Sequence, residues 1–269
     1  MTDQLKPMAN SPIVLIHGVG LDRTMWEPVA SLLRGDRVDP VDREVVTYDM
    51  LGHGEAQKPT GPYELSMFVD QLAALVDSLS RTHPAGMVDM VNTVDLVGFS
   101  MGALVAQGFA IDHPDRVRRL ALLHSVFDRT DDERAAIAAR VEDVRSGGFL
   151  ASIGTALTRW FTPAFTREHP EVIASVRRVL EANDVDAYAS AYEVFATADA
   201  ILAERTSLIR SETLVLTGED DQRSTPSMSR HLAAALQQGE AIVLPNLRHL
   251  APLEDPPLVA SVLRSFLDR

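Results

Sequence analysis

Ser100 stands between Gly98 and Gly102 in the stretch DLVGFSMGALVAQ (95–107), where an apolar run gives way to a helix-forming one. A sharp strand-to-helix turn needs glycines at these two places, because Cβ atoms there would crowd the turn. Such a turn lifts the hydroxyl clear of the sheet, so Ser100 reads as a nucleophile. A serine that only capped the following helix would explain Ser100 but not both glycines.

A serine hydroxyl is a poor nucleophile at neutral pH, so a base must take its proton and a third group must orient that base. Behind an elbow of this kind the partners follow at later strand ends, acid first and histidine second. TLVLTGEDDQRSTP (213–226) ends a strand at Gly218 and then offers Glu219, Asp220 and Asp221. Asp221 is the preferred acid, Asp220 the alternative, and Glu219 reads as a solvated loop charge. AIVLPNLRHLAPLEDP (241–256) ends a strand near Asn246 and offers His249 as the base. Among the remaining histidines, His124 sits at the tip of the strand after the elbow helix and is the other one placed to face a pocket.

Charge building up on a carbonyl oxygen needs donors already in place, and backbone amides supply them cheaply. LIHGVG (15–20) follows the first strand and bends at Gly18, so the Val19 amide can point inward beside the Met101 amide. His17 reads as a loop-fixing residue. YDMLGHGEA (48–56) reads as a tight turn held by Asp49.

Parallel strands at one sheet edge would bring these pieces together. Apolar runs at 12–17, 45–49, 93–99, 119–125, 213–219 and 241–246 alternate with helical patterns near 24–34, 63–80, 101–112, 226–238 and 256–268. That alternation predicts a mostly parallel sheet with helices on both faces. The interval 128–208 breaks it with amphipathic helical patterns and no convincing strand, and reads as a helical lid. The expected organisation is thus a core over 1–127 and 209–269 with a cap over 128–208.

A formal net charge of −13 argues against a grip on nucleic acid or anionic lipid, both of which need a basic surface. Small molecules are the expected partners. The chain has no cysteine, which excludes disulfides and thiolate metal sites. No apolar run suggests a membrane span, so a cytoplasmic protein, monomer or homodimer, is expected. No two histidines share ligand spacing on one element; no metal and no cofactor is expected.

HGVG, DMLGHG, GFSMG, GEDD and the RH near the C-terminus stand in an order and spacing that resemble the α/β-hydrolase family. GLDRTMW (20–26), GFSMGALVAQ and RWFTPAF (159–165) further resemble 3-oxoadipate enol-lactonases; meta-cleavage product hydrolases are a more distant likeness. The resemblance implies an α/β-hydrolase fold with a helical lid and a serine hydrolase acting on a small ester or lactone. Two alternatives share the fold: a carbon–carbon bond hydrolase, and a receptor using the same pocket. An enol-lactone of this kind is a carboxylate, which implies a cation in the pocket, with Arg23, Arg159 and Arg248 as candidates. Trp26, Trp160 and His124 are further candidate substrate contacts. The sequence departs from the family pattern in four places. The short leader before residue 12 implies that an N-terminal antiparallel hairpin is missing. Ala103 and Arg248 replace frequent glycines, and 35–44 and 82–92 look longer than usual loops.

Overall fold

Each apolar run becomes a strand of one sheet in the computed structural model, which describes residues 11–34, 43–81 and 93–269. The strands are β1 (Ile13–Ile16), β2 (Val45–Tyr48), β3 (Val94–Phe99), β4 (Val117–Leu123), β5 (Glu212–Gly218) and β6 (Gly239–Leu244). They pair in the order β2-β1-β3-β4-β5-β6, every pairing parallel. Burial explains the composition: β1 and β3 are buried at every residue, so both faces demand apolar side chains.

Strand order reverses between β1 and β3, because β1 sits between β2 and β3. Crossovers leave toward opposite edges there, which opens a crevice at the carboxyl ends of the two strands. Gly18 and Val19 follow β1, and Ser100 follows β3.

The core helices are α1 (Glu27–Arg34), α2 (Leu65–Arg81), α3 (Met101–Asp112), α9 (Pro226–Ala235) and α11 (Pro256–Leu267), with the single turn α10 (Ala251–Glu254) before the last. Helix α3 is buried from Met101 to Ile111, consistent with its apolar residues on all sides. Proline at a first-turn position and a Thr or Asp N-cap start α9 and α11.

Between β4 and β5 the chain runs through α4 (Asp131–Asp143), α5 (Phe149–Trp160), α6 (Pro163–Glu168), α7 (Pro170–Glu181) and α8 (Val185–Ala203), with no strand among them. A capping box of Thr130 and Glu133 opens α4, and Gly147, at φ 89°, turns the chain between α4 and α5. The sequence pattern misses α6 and α10, which are too short to display a helical period. The expectation of a missing N-terminal hairpin falls on residues 1–10, outside the described residues, as do most of the two long-loop readings. Among the described residues no helix is long and apolar enough to cross a membrane.

Candidate active site

The turn at Ser100 has the geometry that its flanking glycines suggest. Ser100 adopts φ 54° and ψ −115°, a conformation that side-chain-bearing residues rarely take. A Cβ on Gly98 would lie 2.3 Å from the Gly102 carbonyl oxygen, and one on Gly102 would lie 2.4 Å from that of Ile16. Backbone fills both places, so β1, β3 and α3 can meet only through glycine. Ladder hydrogen bonds run one residue past the strands: Ser100 N–H donates to Leu123 O at 2.8 Å, and His124 N–H donates to Leu216 O at 2.7 Å.

Asp221 and His249 are brought together from the ends of β5 and β6. His249 Nδ1 lies 2.7 Å from Asp221 Oδ2. Asp221 Oδ1 accepts from the Arg223 and Ser224 amides, each at 3.0 Å. Burial would raise the Asp221 carboxyl, but the charge of His249 and hydrogen bonds from His124 and His249 outweigh it and hold the group well below the usual carboxylate range. Asp220 is exposed, and Glu219 is exposed too, its carboxylate accepting the Asn246 amide.

His249 and Ser100 line the same cavity of about 390 Å³, together with Gly18, Val19 and Trp160. With Nδ1 turned to Asp221, the other ring nitrogen of His249 is left for chemistry. Among the described residues, neither the Val19 nor the Met101 N–H has a protein acceptor; the first N–H groups of a helix have none within the helix.

The candidate substrate contacts separate. Trp160 and Arg159, both at the end of α5, line the cavity. Trp26 does not: it is fully buried, edge-on to Phe99 at 6.4 Å between centroids, and is a core residue. Arg23 is drawn off by Asp49 and Glu55, the latter at 2.9 Å. Arg248 donates to the Thr158 and Phe161 carbonyls, at 2.7 and 3.1 Å, and so clamps the carboxyl end of α5 instead of facing the cavity. Glu254 strengthens that clamp by accepting from the Arg248 and Thr162 amides. His124 is fully buried behind the acid, with Nδ1 at 2.7 Å from Asp221 Oδ2.

His17 and Asp49 have the structural parts read from the sequence. His17 Nδ1 bonds the Gly18 carbonyl and Nε2 accepts from the Met50 amide. Asp49 accepts from the Arg23 and Glu55 amides.

Sequence reasoning missed three cavity arginines, Arg129, Arg140 and Arg223. Arg223, two residues past the acid, carried a readable signal. The inward face of α4 did not, because its charged residues lie all around it. Arg129 is ion-paired to Asp199 at 2.6 Å, and Arg140 to Asp143 at 2.9 Å. Arg159 has a buried Nε with no hydrogen-bond partner among the described residues, and burial, then the nearby Arg223 charge, disfavours its positive charge.

The ligand atoms of His124, Asp221 and His249 lie within 4.8 Å of one another, as metal ligands would. The nitrogens are, however, in direct hydrogen-bond contact with Oδ2 at 2.7 Å. Two ligands of one tetrahedral zinc stand about 3.4 Å apart. The cluster as built is hydrogen-bonded.

Parallel sheet, strand–turn–helix elbow and the cavity beside it together define an α/β-hydrolase fold. The chain belongs to the Alpha/beta hydrolase family, which it matches over residues 13–262. It is 34% identical over 259 residues to the (E)-2-((N-methylformamido)methylene)succinate hydrolase of Acinetobacter baylyi, covering 96% of this chain and 90% of that protein. Over 257 residues it is 26% identical to 3-oxoadipate enol-lactonase 2 of the same organism, covering 96% and 88%. The solved enol-lactonase from Burkholderia xenovorans superposes with a TM-score of 0.82 at 28% identity, covering 98% of this chain and 94% of that one.

Proposed function

We propose that this protein is a serine hydrolase that opens a small carboxylate-bearing ester or enol-lactone through Ser100, His249 and Asp221. The observation that carries the reading is the 2.7 Å contact of Asp221 with His249 Nδ1, which leaves the other ring nitrogen of a residue that lines the same cavity as Ser100 available for chemistry. His249 Nε2 takes the Ser100 proton as Oγ attacks the carbonyl carbon. The Val19 and Met101 amides receive the oxyanion, and His249 returns the proton to the leaving oxygen. Water, deprotonated by the same nitrogen, then releases the acyl group from Ser100. Helices α4 to α8 act as the cap that encloses the substrate.

Two features support a carboxylate on the substrate. Half-buried Arg159, whose Nε is enclosed, and exposed Arg223 line the cavity without an ion pair among the described residues, and guanidinium groups so placed can pair with an anion. The relatives named for a methylenesuccinate and for a 3-oxoadipate enol-lactone both act on carboxylates.

A panel of chromogenic esters and lactones, matched as anionic and neutral pairs, tests this. Faster turnover of the anionic members is expected. Equal rates for both would remove the carboxylate from the proposal. Bleaching of a coloured vinylogous diketone with no ester turnover would favour carbon–carbon cleavage, and a ligand-induced melting shift without turnover would favour a receptor.

A further inference from the structure

Two imidazoles, not one, bind the same oxygen of the acid. His124 Nδ1 and His249 Nδ1 each lie 2.7 Å from Asp221 Oδ2, and the two rings stand edge to face with centroids 5.3 Å apart. The backbone aims His124: it sits one residue past β4 at φ 51°, its N–H tied to Leu216 O. Thr217 Oγ1, 3.4 Å from His124 Nδ1, is committed as donor to the Ser224 carbonyl at 2.7 Å. An ionised carboxylate only accepts, so both nitrogens must carry the protons in these bonds.

His124 Nε2 is buried with no partner among the described residues, and the ring packs against Phe99 at 5.5 Å between centroids. A protonated His124 would leave an N–H orphaned in that apolar wall, so the side chain is neutral, with its one proton on Nδ1. Burial lowers its affinity for a second proton, more than the bonds to Asp221 raise it.

We infer that His124 is a positioning residue for the acid: it holds the Asp221 carboxylate from a second side and takes up part of the charge that would otherwise stabilise protonated His249. Asp221 then accepts four hydrogen bonds, two on each oxygen, which fixes the carboxylate against rotation. The shared oxygen attracts a proton on His249 less strongly than a carboxylate bonded to one imidazole would. The inference rests on the proposed roles of Asp221 and His249, but its test needs no turnover.

Other groups that face His249 do not replace this effect. Phe99 and Trp160 are its ring neighbours, and Arg129, Glu133, Arg140, Arg159 and Arg223 carry the charges on the cavity. Glu254, behind it, is engaged by the Arg248 and Thr162 amides. None of these is altered in the variants below.

Nitrogen-15 NMR of the histidine rings decides the matter. In the unaltered protein, His124 is expected as the neutral tautomer with its proton on Nδ1 at pH 7. The His249 midpoint is then followed in His124→Phe, which removes the donor, and in His124→Asn, whose amide can replace it. A rise of about one pH unit in the first and return toward the parent value in the second are expected. An unchanged His249 midpoint in folded His124→Phe, or His124 lacking the Nδ1 proton at pH 7, would overturn the inference. Should His124→Phe fail to fold, the tautomer in the unaltered protein decides alone. Ser100→Ala tests the serine reading separately, since its loss of turnover leaves the titration of His249 readable.

Discussion

A Cβ added to Gly102 would stand 2.4 Å from the carbonyl oxygen of Ile16, and 2.5 Å from that of His17. Both obstacles are backbone of β1 and the loop after it, so neither can swing aside. Gly102→Ala must push α3 off the sheet, and it carries Ser100 and the Met101 amide with it. Urea unfolding is expected to show a loss of about 3 kcal/mol, together with collapse of esterase activity. A variant of parental stability and activity would mean that the elbow tolerates a side chain.

Asp221→Asn separates charge and tautomer from shape. The amide would present either a donor to two imidazole N–H groups or an oxygen without charge. Activity should fall by about 10³–10⁴-fold while the fold is retained, as judged by circular dichroism and steady-state kcat. Loss of less than tenfold would point to another acid, and exposed Asp220 would be the next to alter.

Sequence and structure agree best where local physics dominates. The strands and the elbow were readable because burial on both faces demands apolar runs and because two glycines have no side-chain substitute at Gly98 and Gly102. Asp221 and His249 were readable as residues past strand ends. Trp26, Arg23 and Arg248 were misplaced for a common reason: a motif gives a position along the chain but not the direction of a side chain. Arg248 is diverted by two carbonyls at the end of α5, and Arg23 by the carboxylates of Asp49 and Glu55. The contact of His124 with Asp221 joins residues 97 apart in sequence, and no local pattern encodes it.

Arg159→Gln tests the anion site. With Nε buried and unpaired among the described residues, this guanidinium gains most from a substrate carboxylate. KM for an anionic ester is expected to rise at least about tenfold, with little change for its neutral counterpart. An equal loss for both would assign Arg159 to holding the cap.

Acid stability follows from the buried histidines His17, His53 and His124, all held below the ordinary imidazole range. Burial, joined at His53 by the neighbouring His17 charge, outweighs the backbone hydrogen bonds and the Asp49 charge and pushes His17 down to about 4 and His53 to about 3, from 6.5. Both are neutral in the folded protein and bind protons on unfolding. Their contribution is therefore whole above pH 6.5 and is lost as pH falls toward the folded values. Each should cost about 1.4 kcal/mol per pH unit in that window. The depressed Asp221 adds a further loss only below about pH 4. Urea unfolding between pH 7 and 4 checks this, and His53→Phe should flatten the slope by about one proton. A flat profile would show that the rings are protonated in the fold.

The central claim is that Ser100, His249 and Asp221 act as one unit, and covalent labelling with a fluorophosphonate followed by peptide mass mapping tests it most directly. The account predicts a single adduct on Ser100, formed at least about a thousandfold more slowly in His249→Ala. An adduct on another residue, or undiminished labelling without the imidazole, would contradict it.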